Sequence, residues 1–452
     1  MSWEKVKLEE LYTVHNGLSK GRQFFGTGFP FLSFSTVFNH YFIPSELSDL
    51  VQTTEKEQAD YSICRGDVFV TRTSETSDEL GMSCVALKDY PHATYNGFTK
   101  RMRPIDSTRV LPEYIGYYMR LPSFRGQFQA FSTMTTRASL RNEDLLGLEV
   151  MLPPMKVQKR IADILLTYDD LIENNQKQIK LLEEAAQRLY KEWFVDLRFP
   201  GYEDVRVLDG VPEGWRRMAI NDIAEYINGY AFKPSDWSNK GKPIIKIKEM
   251  GDGVTTDTPR NLGTDIPPKY HIFAGDILFS WSATLSAMIW DGEDGLLNQH
   301  LFKVVPYDGF SREYVLQSIL YTLDEFQNLT TGATMKHIQR GKLKEVFVTV
   351  PNEKLMLQYS LLSEPIRQKI LSLKKQSLIV IEARDRLLPK LMSGELDLAE
   401  TKKAEILQPL PKLSYDEFLS DLGMAARAKT VSEADLRAMY EAYLDDDAED
   451  RD

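Results

Sequence analysis

The sequence lacks the features that mark secreted and membrane proteins. Only two of its 452 residues are cysteines, Cys64 and Cys84, which indicates a reducing compartment and no disulfide framework. No run of 18 or more apolar residues occurs, so the sequence predicts no membrane-spanning helix. The N-terminal stretch MSWEKVKLEE has no apolar signal core. We therefore expect a cytoplasmic protein.

Motifs for common chemistry on nucleic acids are also lacking. No Asn-Pro-Pro or Asp-Pro-Pro begins the tetrad that an amino-methyltransferase would carry, and no Gly-Lys-Ser/Thr is present to bind a nucleotide phosphate. The six histidines are scattered without metal-ligand spacing, and the cysteines do not form a CxxC pair. The sequence predicts no catalytic or metal site in this chain.

An excess of basic charge is absent as well, because the formal net charge is −11. The acidity is concentrated at the C-terminus, where residues 400–452 contain 14 acidic and 7 basic side chains. The rest of the chain is close to neutral and contains local basic clusters. Nucleic-acid binding depends on local potential more than on net charge, so the composition does not exclude DNA as a partner.

The chain contains an internal repeat. Its matching stretches, in the same order in both halves, are Trp3–Gly17 with Trp215–Gly229, Tyr61–Arg72 with Tyr270–Trp281, Asn96–Pro104 with Asn298–Pro306, and 145–154 with 343–352. The offset drifts from 212 to 198, as loop insertions and deletions would cause. Each half has β-branched and aromatic runs such as PIIKIK at 243–248, and amphipathic stretches near residues 113–121 and 313–323. The repeat predicts two similar α/β (α+β) domains.

A long helical pattern follows each half. In the first, residues that would form one stripe along the helix, which we call the seam, are spaced alternately four and three positions apart. They are Ile161, Leu165, Tyr168, Ile172, Asn175, Ile179, Leu182, Ala186, Leu189 and Trp193. In the second, after Pro365, the same steps connect Ile366, Ile370, Leu373, Ser377, Val380, Arg384, Leu387 and Leu391. This spacing is typical of a coiled coil, and we expect the two helices to pack antiparallel. We expect Trp193 and Phe194 to lie near one end of the second helix, and Pro389 to kink or end that helix.

Several motifs in this order resemble the specificity subunit of type I restriction–modification systems. They are Gly66-Asp67 and Gly275-Asp276, TTGATMKHI at 330–338, LYKEWFVDLRFPG at 189–201 and RDRLLPKLMSGELDL at 384–398. The resemblance covers about residues 1–398. It implies target-recognition domains at 1–152 and 200–350 and spacer helices at 153–199 and 351–398, with 399–452 as an acidic extension.

The same resemblance implies a function. Each domain would read one half of a bipartite site in double-stranded DNA. The helices would set the spacer and recruit two modification (methyltransferase) subunits, which restriction (endonuclease/translocase) subunits would join. No cofactor is expected on this chain, because S-adenosylmethionine, ATP and Mg²⁺ would belong to the partner subunits. No membrane is implied.

The candidate DNA contacts lie in polar and basic stretches that we interpret as loops between strands. Arg and Lys suit guanine or phosphate, Asn and Gln suit adenine, and hydroxyl groups suit several bases. The candidates are Arg72, Thr73, Lys100, Arg101, Thr135, Arg137, Arg141, Lys233, Trp281, Ser282, Asn298, Gln299, Thr334, Lys336, His337 and Arg340. The alternative for each is a solvated charge or a turn hydroxyl. Gly66 and Gly275 fit a structural turn before a core strand.

Two other classes of function compete with DNA recognition. A stand-alone DNA methyltransferase or nuclease is disfavoured by the missing motifs. A coiled-coil scaffold that binds only proteins is disfavoured because polar and basic loops recur at matched places in both halves.

Overall fold

The computed structural model describes residues 3–74, 80–131, 138–282, 284–328 and 340–396. The chain divides into two compact units. Unit 1 consists of the described residues of Met1–Glu173 and Leu378–Pro411. Unit 2 consists of the described residues of Asn174–Ser377. Each unit therefore contains a globular part and a portion of both long helices.

Unit 1 is built from short strands and helices that precede the first long helix. Its strands are β1 (Glu4–Lys7), β2 (Tyr12–Asn16), β3 (Phe25–Leu32), β4 (Leu50–Val51), β5 (Val68–Thr71), β6 (Thr73–Ser74), β7 (Ser83–Val85), β8 (Thr94–Tyr95), β9 (Thr99–Pro104), β10 (Ala138–Ser139) and β11 (Glu149–Leu152). Its helices are α1 (Phe34–Asn39), α2 (Glu55–Asp60), α3 (Pro112–Tyr118), α4 (Pro122–Arg125) and α5 (Asn142–Leu146), and α6 (Met155–Tyr190) begins in it.

Unit 2 repeats this order with its own elements. Its strands are β12 (Val207–Leu208), β13 (Val211–Pro212), β14 (Arg216–Ala219), β15 (Ala224–Asn228), β16 (Lys242–Ile245), β17 (Arg260–Asn261), β18 (His271–Ile272), β19 (Ile277–Ser280), β20 (Ser286–Ile289), β21 (Gly295–Leu297), β22 (Leu301–Pro306) and β23 (Phe347–Val350). Its helices are the last part of α6, α7 (Ile247–Asp252), α8 (Arg312–Tyr321), α9 (Leu323–Asn328) and the first part of α10 (Glu353–Ser393).

The central sheet of each unit has four antiparallel strands. The order is β2-β9-β5-β7 in unit 1 and β15-β22-β19-β20 in unit 2. In unit 1 Asn16 pairs with Lys100, and in unit 2 Asn228 pairs with Phe302. The apolar runs of β5 and β19 are buried, which explains their continuous β-branched and aromatic sequence. The two central sheets therefore share one topology, which confirms the predicted repeat.

The turn before each central strand is the structural feature predicted from the two Gly-Asp pairs. Gly66 and Gly275 have φ angles of 89° and 95°, a region that favours glycine. Asp67 accepts a hydrogen bond from the backbone N–H of Cys64 over 2.7 Å, and Asp276 accepts one from Phe273 over 2.9 Å. Each aspartate thus closes the same turn in its own unit.

A tyrosine in each unit ties a helix to the strand that precedes a long helix. Tyr114 in α3 donates its hydroxyl to the carbonyl of Met151, and Tyr314 in α8 donates to the carbonyl of Thr349, both over 2.8 Å. Both tyrosines are fully buried. These bonds place the amphipathic helices predicted near residues 113 and 313 against β11 and β23.

The long helices α6 and α10 pack against each other within each unit. In unit 1, Ile161 shares a core with Leu391, and Arg384 forms an ion pair with Asp169 over 2.5 Å. In unit 2, the Asn175 side chain donates to Ser377 Oγ over 3.2 Å. Residue numbers rise along one helix as they fall along the other, so the predicted antiparallel pairing is confirmed.

The aromatic end of α6 packs as expected. A π-helical turn, Lys191–Val195, continues α6 and carries Trp193 and Phe194. Their ring centroids lie 6.0 and 4.9 Å from that of Tyr359, which belongs to the first turns of α10. Aromatic pairs at this spacing stabilise a buried helix end.

Helix α10 runs from Glu353 to Ser393, inside the range 351–398 expected for the second spacer helix. It contains Pro365, and it continues past Pro389 to Ser393, so Pro389 does not end it. Each proline removes one backbone hydrogen bond, and the packing of buried residues such as Leu388 and Leu391 compensates for that loss. The strand expected at 243–248 ends at Ile245, because the Glu249 side chain accepts from the Lys246 backbone N–H over 3.0 Å and α7 begins there.

Candidate nucleic-acid interface

One end of the central sheet in unit 1 gathers stretches that are far apart in the sequence. Strands β2 and β5 finish there and β9 begins there, since Thr71 pairs with Thr99. The backbone N–H of Arg72 donates to Phe98 O over 3.0 Å, and Leu140 N–H donates to Arg72 O over 2.9 Å. We call this region, with Asn16 at the end of β2, the Asn16 end. The candidate stretches near 72, 99 and 140 meet there.

Arg72 and Lys100 give the Asn16 end its positive charge. Arg72 is half-buried, and its Nε atom has no hydrogen-bond partner within the described part of the chain. The Lys100 ammonium group donates to the side chains of Asn16 and Asn142. Burial lowers the pKa of Lys100, and the neighbouring charge of Arg72 lowers it further. Because the Nε atom is itself buried, a contact of Arg72 with an anionic or base acceptor would be made by the rest of its half-buried guanidinium group.

The stretch TKRMR at 99–103 is not a loop, and that interpretation was wrong. It forms most of β9, which lies between β2 and β5 in the sheet. Arg101 is 8% exposed, donates to Ser62 O over 2.7 Å and lies 5.5 Å from the Tyr95 ring. Lys100 is 5% exposed. Because both side chains are bonded inside the protein, we remove Lys100 and Arg101 from the proposed contacts.

Arg141 stands on the outside of the Asn16 end. Its side chain is 75% exposed and forms two hydrogen bonds to Asp144, over 2.8 and 3.0 Å. These bonds hold the pKa of the Asp144 carboxyl below its ordinary value. An exposed ion pair of this kind contributes little to stability, so a DNA phosphate can compete for the guanidinium.

The matching end of the unit 2 sheet carries aromatic and neutral polar groups. We call it the Asn228 end, after the last residue of β15. Trp281 donates from Nε1 to Asn228 Oδ1 over 3.1 Å, and its ring lies 5.9 Å from that of His300. His300 Nδ1 lies 3.4 Å from Ser282 Oγ, and His300 Nε2 lies 3.4 Å from Gln299 Nε2. Groups that can both donate and accept therefore lie side by side here.

At both the Asn16 end and the Asn228 end, a glycine backbone lies in close contact with the backbone of an asparagine. A Cβ atom on Gly17 would lie 2.0 Å from Asn96 O, and one on Gly229 would lie 2.1 Å from Asn298 O. Only glycine fits such a contact. The buried Asn298, 6% exposed, therefore serves the turn, and its Oδ1 accepts from the His300 backbone N–H over 3.3 Å.

Three residues at these ends were missed as candidates: Asn16, Phe98 and Asn228. His300 lies in the polar stretch 298–300 that holds the candidates Asn298 and Gln299. The signal for the asparagines was the Asn-Gly dipeptide that closes the first repeated stretch in each half. The signal for Phe98 was its position two residues after an asparagine in the third repeated stretch, a position that His300 occupies in the second half.

The other candidates are placed only in part. Thr73 lies in β6 and pairs with Ser139, so it belongs to the Asn16 end. Lys233 is exposed in a loop of unit 2. Arg340 begins a 3₁₀ turn, Arg340–Glu345, of which the structure describes the backbone but not the Arg340 side chain. Thr135, Arg137, Thr334, Lys336 and His337 lie outside the described residues.

The described residues contain neither a cluster suited to a metal ion nor a helix suited to a membrane. No group of three or more His, Cys, Asp or Glu side chains is placed to hold a metal ion in the described ranges. Over the same ranges, no helix is both long and apolar enough to cross a membrane. Cys64 and Cys84 are both free thiols.

The sequence matches the family model of the type I restriction modification DNA specificity domain over residues 1–184 and 212–359. It is 23% identical to the type I restriction enzyme MjaIX specificity subunit of Methanocaldococcus jannaschii, over 88% of this chain and 94% of that protein. It is 24% identical to the HindI specificity subunit of Haemophilus influenzae, over 81% and 94%.

The fold is similar to a solved structure of the same kind. A type I restriction–modification S subunit from M. genitalium superimposes with a TM-score of 0.51 and 14% identity, over 88% of this chain and 97% of that one. The duplicated sheet and the paired long helices agree with the two separate matches of the family model along the chain. This chain belongs to the family of type I restriction–modification specificity subunits and is a DNA sequence-recognition subunit.

Proposed function

We propose that the Asn16 end of unit 1 and the Asn228 end of unit 2 each contact one half of a bipartite DNA site. The observation that carries this proposal is the convergence of separate candidate stretches at one end of each sheet. Arg72 and Trp281 occupy matching positions there, directly after β5 and β19. Their different chemistry favours two different half-site sequences.

We propose further that α6 and α10 set the spacer between the half-sites and bind the partner subunits. Helix α6 has 36 residues, which corresponds to roughly 54 Å at about 1.5 Å per residue. That length exceeds one turn of B-DNA, about 34–36 Å. Large apolar side chains on these helices are more than half exposed, which supports a docking role: Leu181, Leu357, Leu362 and Leu378.

The chemistry belongs to the partners in this proposal. Two modification subunits would transfer a methyl group from S-adenosylmethionine to adenine, and restriction subunits would use ATP and Mg²⁺ to translocate and cleave DNA. This chain would supply sequence recognition in the cytoplasm and no catalytic group. The rival functions, a stand-alone DNA methyltransferase or nuclease and a protein-only scaffold, predict different behaviour.

The test is to incubate the full chain with duplex DNA and a labelled methyl donor, with and without a modification subunit. We expect no methylation by the chain alone and sequence-specific methylation when the modification subunit is added. Methylation by the chain alone would establish the stand-alone enzyme. Unchanged sequence preference of the modification subunit in the presence of this chain would establish the scaffold.

A further inference from the structure

Phe98 is an exposed aromatic side chain at the Asn16 end of unit 1. It is 59% exposed, yet its backbone is held on both sides. Its N–H donates to Asn96 Oδ1 over 2.7 Å, and its carbonyl accepts from Arg72 N–H over 3.0 Å. The next residue, Thr99, donates to Asn96 O over 3.0 Å. These bonds fix the backbone of Phe98, from which the exposed ring extends into solvent.

The residues that share this end of the sheet with Phe98 are polar or cationic. Arg72 is bonded to Phe98 through the backbone, and the Asn16 amide oxygen accepts from Lys100 over 3.3 Å at the same end. A single exposed apolar residue is ordinary on a protein surface. An apolar ring, a guanidinium and an amide at one end of a sheet match the mixture of groups that a base pair offers in the major groove.

The matching turn of unit 2 also presents a ring. His300 follows Asn298 by two residues, as Phe98 follows Asn96, and its N–H donates to Asn298 Oδ1 over 3.3 Å. Leu301 N–H donates to Asn298 O over 3.0 Å, as Thr99 does to Asn96. The fold thus offers one residue at the same place in each unit, apolar in unit 1 and hydrogen-bonding in unit 2.

We propose that Phe98 determines specificity at one position of the unit 1 half-site by contacting the 5-methyl group of a thymine. This inference rests on the proposed function, since it requires the Asn16 end to face DNA. A thymine methyl is the apolar group that a major-groove base edge presents, and a phenylalanine ring can pack on it. Arg72 and Asn16 are residue types that read base edges, so a ring at the same end of the sheet would also meet a base edge.

The experiment uses the full chain with its modification subunits and randomised DNA duplexes. Wild type, Phe98→Ala and Ile105→Ala are compared for sequence preference at both half-sites. Ile105 is the matched control, because it is also 59% exposed and follows the opposite end of β9. We expect Phe98→Ala to lose its preference for thymine at one position of one half-site, and Ile105→Ala to behave as wild type.

A second measurement isolates the methyl group. In the preferred duplex, each thymine is replaced in turn by deoxyuridine. Wild type should bind about fourfold more weakly at one replaced thymine, which is the effect of about one buried methyl group. Phe98→Ala should be insensitive to that replacement, and Phe98→Leu should keep part of the sensitivity. Unchanged thermal unfolding of the variants shows that they remain folded.

The outcomes separate this inference from the proposed function. If Arg72→Ala changes one half-site while Phe98→Ala leaves every preference intact, the Asn16 end reads DNA and the Phe98 inference is overturned. If wild type tolerates deoxyuridine at every thymine, the inference is overturned as well. If neither Arg72→Ala nor Phe98→Ala alters binding to either half-site, the proposed function itself fails for unit 1.

Discussion

Asn175 of α6 donates a side-chain hydrogen bond to Ser377 of α10 over 3.2 Å, and both residues are buried. They are the polar seam positions that face each other in unit 2. Ser377 Oγ in turn donates to Leu373 O over 2.9 Å, so the pair is satisfied within the seam. A buried polar pair of this kind fixes helix register at some cost in stability.

The first prediction concerns this pair. Ser377→Ala should lower the free energy of unfolding by about 1–3 kcal/mol, because it leaves the Asn175 amide buried without its acceptor. Asn175→Leu combined with Ser377→Ala should restore or exceed wild-type stability, since the seam becomes apolar. Chemical denaturation of the three proteins provides the measurement. Equal stability of the single variant and wild type would show that the bond contributes nothing.

The second prediction uses the matched positions after the central strands. Arg72→Ala should relax specificity at the unit 1 half-site only, and Trp281→Ala at the unit 2 half-site only. The reason is that each side chain lies at the end of its own sheet, and each lost base contact costs about 1–3 kcal/mol. Binding to duplex libraries with one half-site randomised at a time measures this. Relaxation of both half-sites by either variant would contradict independent reading by the two units.

The sequence predicted the repeat and the seam because both are periodic. Ile161 and Leu391 lie where the four-and-three spacing puts them, and Gly66 and Gly275 form the turns that their Gly-Asp context indicated. Periodic features depend on neighbouring residues, so they can be read without knowledge of the tertiary fold.

The site was predicted less well, because it depends on which strands pair. The basic stretch TKRMR was interpreted as a loop, but its strand lies between two others, so Lys100 and Arg101 are buried. Phe98 was missed because an apolar residue suggests a core position, and only the pairing of β9 with β5 places it at the Asn16 end. The exposure of a side chain follows from tertiary contacts that one sequence does not display.

The third prediction concerns the exposed ion pair at the Asn16 end. Asp144→Asn should release Arg141 for a phosphate and raise DNA affinity at low salt, with the salt slope steeper by about one. Asp106→Asn is the control, because it removes the same charge from an exposed site near the opposite end of β9. Titrations at several salt concentrations measure the slope. A slope that changes equally in both variants would indicate a general charge effect and no role for Arg141.

The fourth prediction concerns pH and unit 2. Burial raises the pKa of the Glu313 carboxyl to about 7, although Arg367, 2.8 Å away, lowers it in part. A carboxyl whose pKa is raised by folding contributes stability that is present below its ordinary value of 4.5 and is lost as pH rises through about 7. The Tm of wild type should therefore fall between pH 5 and pH 8 by more than that of Glu313→Gln. Identical pH dependence of the two proteins would contradict the raised pKa.

The central claim is that the paired helices α6 and α10 set the distance between two DNA-recognition domains, each of which recognises its own half-site. Its most direct test inserts seven residues after Asn175 and a matched seven after Ser377, which keeps both seams facing each other. The pair of helices lengthens by about 10 Å, which corresponds to roughly three base pairs of DNA at about 3.4 Å each. A two-residue insertion is the control, because it rotates the seam by about 200° and should lower stability and partner binding.

The measurement is the spacer of the DNA sites methylated by the complex of each variant with its modification subunits, determined by methylation-sensitive sequencing. We expect the seven-residue variant to keep both half-site sequences while the unspecified spacer grows by up to three base pairs, less whatever DNA bending absorbs. A variant that still prefers the original spacer with undiminished affinity would contradict the account, because the helices would then not set the distance between the half-sites.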